Sequence, residues 1–226
     1  MFFFDMNYFL YALPGLLLAL YATAKTKSTF SKYSRIAARS GMSGAQAAAQ
    51  LLRTEGVADV QIEMTKGFLS DHYDPRTNTL RLSPDVYKSN SLSAVGVACH
   101  EAGHAIQHAH GYTPLYLRSA LVPATQISSN AAMPLIFIGL IFRFPLLINL
   151  GIIFFAIAVL FSIITLPVEW NATARAKRLM VASHIVTIDE QRQAGAVLNA
   201  AFLTYVASAV SAMLMLLYYL SLGSRR

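Results

Sequence analysis

Charge is scarce in this chain. Asp, Glu, Lys and Arg make up 13% of its 226 residues, about half the share that a soluble domain carries. Acids are scarcest, 11 against 18 Lys and Arg, which leaves a net charge of +7. There is one cysteine, Cys99, so an internal disulfide is excluded. Sequence repeats and low-complexity segments are also missing. What fills the chain is apolar: 55% hydrophobic residues and a mean hydropathy of +0.48. That balance excludes an ordinary soluble domain and points to a membrane protein. A net positive charge can mark a nucleic-acid partner, but here the basic residues cluster beside apolar runs, as membrane topology requires. No nucleic-acid partner is expected.

Four apolar runs are long enough to matter. About 20 apolar residues cross the hydrocarbon core as a helix. "YFLYALPGLLLALYATA" (Tyr8 to Ala24) reads as a first span. It has neither a basic leader nor a small-residue cleavage site, so it is expected to be retained rather than removed as a signal. Ser119 to Phe142 and Leu146 to Pro167 form a pair of spans separated by "RFP", and Ala200 to Leu222 forms a fourth. The expected organisation is an N-terminal transmembrane helix (1–24), a polar domain (25–118), two transmembrane helices (119–167), a helix-bearing polar stretch (168–198) and a C-terminal transmembrane helix (199–226).

Two crossings separate the polar stretches, so both lie on one side. The first carries Lys25, Lys27, Lys32, Arg35 and Arg39 near a span end, a basic segment suited to anionic lipid. The second carries Arg175, Lys177, Arg178 and Arg192, while Arg143, Arg225 and Arg226 lie opposite. The positive-inside bias therefore places both stretches in the cytoplasm of a multi-pass cell-membrane protein.

Within the first stretch, Ser43 has the position of an N-cap for a helix ended by Gly56. "VQIEM", "GFLSDHY" and "TLRLS" read as three short strands, the last two joined by the turn "DPRTN". They predict a small antiparallel sheet. Asp71, His72 and Asp74 read as turn chemistry. A helix then runs from Ser91 to about His110, where Gly111 and Pro114 stop it. Near the last span, Thr187 and Glu190 have capping-box spacing.

The helix from Ser91 contains "CHEAGHAIQHAHG", with four of the six histidines of the chain. His100 and His104 are one helical turn apart and share a face, so both can grip one ion. Glu101 beside them can act on a water there. This HExxH pattern suits a catalytic zinc with two imidazoles, a third protein ligand and one open position. Two third ligands compete. His110 has the metzincin spacing, but that pattern has glycine where this chain has Gln107. His108 and His110 otherwise suit a helix end. Glu169 follows a span directly, on the same side of the membrane as the histidines, where a lone carboxylate is poorly placed without a partner. It is the better candidate, at the start of a new helix.

"HEAGHAIQ" together with "LPVEWNATARAKRL" resembles the bacterial YugP-type neutral zinc metallopeptidases over nearly the whole chain. It is similar, more distantly, to membrane zinc proteases of the HtpX and CAAX-prenyl-protease type. The resemblance implies zinc held by His100, His104 and Glu169, with Glu101 as general base, and a substrate backbone bound along a sheet edge, for which "TLRLS" is the candidate. The distant relatives carry an aspartate four residues after the ligand glutamate. Here that position is Thr173, so Thr173 or Asn171 is expected to replace it behind the ligands.

The expected fold is membrane α-helical with an α+β zincin-like domain: about four transmembrane helices, the motif helix and the small sheet. The expected function is hydrolysis of peptide bonds in membrane-associated polypeptides by an integral membrane zinc endopeptidase, with the lipid bilayer as its other partner. Three alternatives stand beside it. A non-catalytic zinc-containing scaffold would not need Glu101. A metal transporter would want carboxylates or histidine pairs inside the spans, which have none. A metzincin-type protease would use His110.

Overall fold

The computed structural model describes residues 6–67 and 70–224. Arg225 and Arg226, counted above for topology, lie outside the described residues, as do Phe68 and Leu69 of "GFLSDHY". Helix α1 spans Met6–Tyr33, α2 Gly44–Thr54, α3 Pro84–Tyr87, α4 Leu92–Ala109, α5 Thr113–Ile141, α6 Pro145–Ala182 and α7 Ile188–Ser224. Strands β1 (Gln61–Met64), β2 (His72–Asp74) and β3 (Thr79–Leu82) lie between α2 and α3. Among the described residues, four helices are long and apolar enough to cross a membrane: α1, α5, α6 and α7. Leu10, Leu16, Leu17 and Leu20 of α1 are exposed, as lipid-facing side chains would be.

The chain forms two compact units, and each long helix contributes to both. The first comprises Met1–Ala22, Tyr116–Pro167 and Thr204–Arg226. Its packing is aromatic and aliphatic. Tyr8 meets Tyr218 edge-on, Phe155 meets Tyr219 likewise, and Ile136, Ile148 and Ile152 are buried together.

The second unit comprises Thr23–Leu115 and Val168–Leu203. Its core gathers Leu51 and Leu52 of α2, Leu80 and Leu82 of β3, Val95 and Ile106 of α4, and Met180 of α6. The local signals behave as expected. Ser43 and Gln46 form a full capping box at the start of α2. Ser91 caps α4 through its hydroxyl, 3.3 Å from the Ala94 amide. Gly111, at φ +66, turns the chain out of α4, a conformation that costs glycine little. Pro114 does more than stop that helix, because it lies in the first turn of α5, where its missing N–H is harmless. Glu190 completes the capping box with Thr187. One carboxylate oxygen accepts from the Thr187 amide (2.8 Å), and the other accepts from the Arg39 amide 151 residues away (2.7 Å).

Three expectations are corrected. The sheet is mixed, not antiparallel: its order is β1-β3-β2, with β3 parallel to β1 and antiparallel to β2. The hairpin at "DPRTN" does form, with Asn78 at φ 51, but the chain from β1 crosses over to reach β2. β3 is consequently the central strand and not an edge. Thr79, Leu80 and Leu82 are buried between two partners, so "TLRLS" has no free side for a substrate backbone. Finally, Glu169 does not begin a helix. α6 runs unbroken through Pro167. In an apolar run, losing one backbone hydrogen bond at proline costs less than exposing a broken helix to hydrocarbon.

Candidate metal centre

α4 and the polar end of α6 lie against each other because small residues allow it. A Cβ on Gly103 would stand 3.0 Å from the Ala172 carbonyl oxygen, so a side chain there would have to push the α6 backbone back by a few tenths of an ångström. On either side of that contact the site is assembled.

His100 and His104 project from one face of α4, as their spacing dictates. Their rings are 4.8 Å apart, edge to face. Both Nε2 atoms point at the same oxygen of Glu169. His100 Nε2 is 3.2 Å from Glu169 Oε2, and His104 Nε2 is 3.5 Å from it. Among the described residues, this is the group of His, Cys, Asp and Glu side chains whose ligand atoms lie close enough to hold a metal ion, all within 4.8 Å of one another. Glu169 is 1% exposed and His104 8%.

These residues fit a zinc ion. Two imidazole nitrogens and one carboxylate oxygen form a common catalytic donor set. Donors at about 2.0–2.1 Å from a tetrahedral ion stand about 3.3–3.4 Å apart, close to the 3.2 and 3.5 Å separations here. A buried carboxylate is also costly, by several kcal/mol, without a compensating cation. The titration of the neighbours reflects that crowding. Burial opposes a charge on His104, yet hydrogen bonding to Glu169, and its charge, hold the imidazole above its ordinary range. Half-buried Glu101 is pushed up by desolvation, against the opposing pull of His100 and His104, with Glu169 and Asp71 adding repulsion.

Behind the histidines lie two polar contacts. The Thr173 hydroxyl is 3.3 Å from His100 Nδ1, at the position where the distant relatives of the resemblance carry aspartate. His104 Nδ1 lies 3.0 Å from Oε1 of Gln107. Gln107 is fully buried. Its Nε2 donates to the Val168 carbonyl (2.8 Å) and to Asn171 Oδ1 (3.0 Å). Asn171 thus reaches the site through Gln107, not through a ligand. Sequence reasoning saw Gln107 only as an obstacle to the metzincin pattern. The available signal was an amide three residues after a candidate ligand, close enough on the helix surface to touch it.

The remaining histidines stand elsewhere. His110 caps the end of α4, is exposed, and has its Nδ1 3.5 Å from Arg175 Nη1. His108 Nδ1 is 2.8 Å from the Tyr73 hydroxyl, which donates to Asn78 Oδ1 at 2.6 Å. Asp71 accepts from the Ser83 amide (2.7 Å), and Asp74 accepts from Arg76 and Arg81, which is turn and sheet chemistry as expected.

Residues 8–224 match the family described as "Putative neutral zinc metallopeptidase". The chain is 43% identical over 215 residues to the "Putative membrane protease YugP" of Bacillus subtilis (strain 168), covering 95% of each. No solved structure matches.

Proposed function

The chain belongs to the neutral zinc metallopeptidase family, and from that premise we propose that it is an integral membrane endopeptidase. In this reading His100, His104 and Glu169 hold one zinc ion and Glu101 is the general base. The observation that carries it is the convergence of two imidazole Nε2 atoms on one oxygen of a buried carboxylate. Bound zinc would polarise the scissile carbonyl and lower the pKa of a water at the site to about 7. Glu101 then takes a proton from the attacking water and passes it to the leaving amine nitrogen. Its position next to His100 and its upward-shifted carboxyl suit a group that must hold that proton between the two steps. A purely structural zinc scaffold has no use for such a base.

The unit that holds the site is read as zincin-like. With β3 paired on both sides, an extended substrate would have to use an outer strand. β2 is the one tied to the motif helix, by Tyr73 to His108. The substrates proposed are membrane-associated polypeptides, because α6, which carries Glu169, is also a helix long and apolar enough to cross a membrane. The site is placed on the cytoplasmic side. Single cysteines at positions 66 and 191, in a Cys99→Ser chain, should both resist an impermeant thiol reagent in intact cells. Labelling of one alone would separate the two polar stretches and end the idea of a shared site.

The mechanism is tested with Glu101→Gln. This variant should retain its zinc and lose peptide hydrolysis, since Glu101 acts on the water and not on the ion. Zinc content and cleavage are measured on one preparation. Cleavage near the wild-type rate would remove Glu101 from the mechanism.

A further inference from the structure

We propose that Gln107 is the positioning residue of the site: its buried amide holds His104 in the Nδ1–H form and leaves the Nε2 lone pair free to face the ion. The inference rests on the zinc reading for what that lone pair does, but the geometry behind it stands alone.

The direction of each hydrogen bond can be traced from groups that have no choice. Arg175 can only donate, and its Nε is 2.8 Å from Asn171 Oδ1. The Asn171 oxygen therefore faces Arg175, and the same oxygen accepts from Gln107 Nε2 at 3.0 Å. The Val168 carbonyl can only accept, and Gln107 Nε2 is 2.8 Å from it. Two independent acceptors thus require the nitrogen of the Gln107 amide on the α6 side. Its oxygen is left facing His104 Nδ1 at 3.0 Å. An amide oxygen has no proton to give, so the proton of that bond belongs to Nδ1. When the imidazole gives up its other proton, the one on the Nε2 that faces Glu169 at 3.5 Å, Nε2 is left bare. A flipped amide would set oxygen against oxygen at both Val168 and Asn171.

His100 has no such control. Its Nδ1 neighbour is the Thr173 hydroxyl at 3.3 Å, and a hydroxyl can donate or accept. The two ligand imidazoles therefore differ: one is set by a chain of oriented groups beginning at Arg175, the other only by contact. Groups behind metal-bound histidines change affinity or activity by about 10–100-fold when removed, and Gln107 has the larger claim to that effect.

The test separates this role from simple packing. In Gln107→Met the side chain keeps its length and loses both polar functions. In Gln107→Glu the carboxylate still accepts from His104 Nδ1 but opposes the Val168 carbonyl. A packing clamp would make Glu the worse variant; a positioning residue makes Met the worse. Two measurements on full-length protein in detergent decide it. The first is the imidazole tautomer of metal-free, 15N-histidine-labelled protein, read by long-range proton–nitrogen correlation at a pH above the imidazole range. The second is zinc affinity by chelator competition. Wild type should show His104 as Nδ1–H. Gln107→Met should show mixed tautomers and about 10–100-fold weaker zinc binding, and Gln107→Glu should keep the tautomer and bind more tightly than Gln107→Met. Wild-type His104 as Nε2–H, unchanged zinc affinity in Gln107→Met, or binding in Gln107→Glu as weak as in Gln107→Met would each overturn the proposal. If wild type bound no zinc at all, the proposed function would fall, and the tautomers of wild type and Gln107→Glu would still decide the role of Gln107. If Gln107→Met failed to fold, the same two proteins would decide it.

Discussion

On α4, three chemical groups of the site lie within five residues: His100, Glu101 and His104. On α6 a single carboxylate, Glu169, faces them, while the Val168 carbonyl and Asn171 bond Gln107 and the Thr173 hydroxyl lies beside His100. Around its chemical groups α4 is small and apolar and is packed on most sides by the core of its own unit. α6 carries no charged residue from Pro145 to Val168 and becomes polar from Glu169 onward. A helix buried in a water-soluble core can carry several polar groups if each finds a partner. A helix that must also satisfy a hydrocarbon run confines its polar groups to one end. The division of labour follows from the solvent each helix meets.

The comparison breaks most readily at Glu169. In the proposed site α6 contributes one ligand, so Glu169→Ala should purify with little zinc and no hydrolysis, a loss well beyond the about 10–100-fold of a supporting group. His110→Ala, at the exposed end of α4, should keep both. Zinc analysis of the two purified variants checks this. Zinc lost with His110→Ala and kept with Glu169→Ala would transfer the third ligand to α4 and erase the difference between the helices.

A smaller effect is expected where the helices touch. Gly103→Ala places a methyl group against the Ala172 carbonyl, a rigid neighbour. Overpacking of this kind costs about 1–3 kcal/mol. Thermal unfolding in detergent should move down, and zinc affinity should fall with it as Glu169 is displaced from the imidazoles. An unchanged unfolding temperature would mean that the contact yields without strain. The smallest effect belongs to Thr173→Val, which keeps the volume and removes the hydroxyl beside His100. Zinc affinity should fall by no more than about tenfold, the low end for such groups. A larger loss would show that α6 holds the imidazoles as firmly as it holds its own carboxylate.

The same contrast explains what was legible in the sequence. His100, Glu101 and His104 could be read because helical spacing fixes their common face and no long-range contact is needed to bring them together. The capping residues Ser43, Ser91 and Thr187 could be read for the same reason. Glu169 was reachable only by parity of crossings and by the cost of a lone carboxylate at a span end, and the continuity of α6 through Pro167 was not. The pairing of β1 with β3 depends on a crossover that alternation within a strand does not encode. Gln107 escaped because two of its three partners, Val168 and Asn171, lie on α6 and reach it only when α4 and α6 come together; His104, one turn away on α4, is the local one.

The Arg39–Glu190 contact and the bond from the Thr26 hydroxyl to the Ala200 carbonyl, 174 residues apart, have a consequence for synthesis. A growing chain that ends before Val168 already carries both imidazoles and Glu101 but lacks the third donor and the residues that hold Gln107 in place. The same chain lacks the last turn of contacts around its own first polar segment until residue 200 has been made. The proposed metal site therefore stays incomplete until most of the chain has been made.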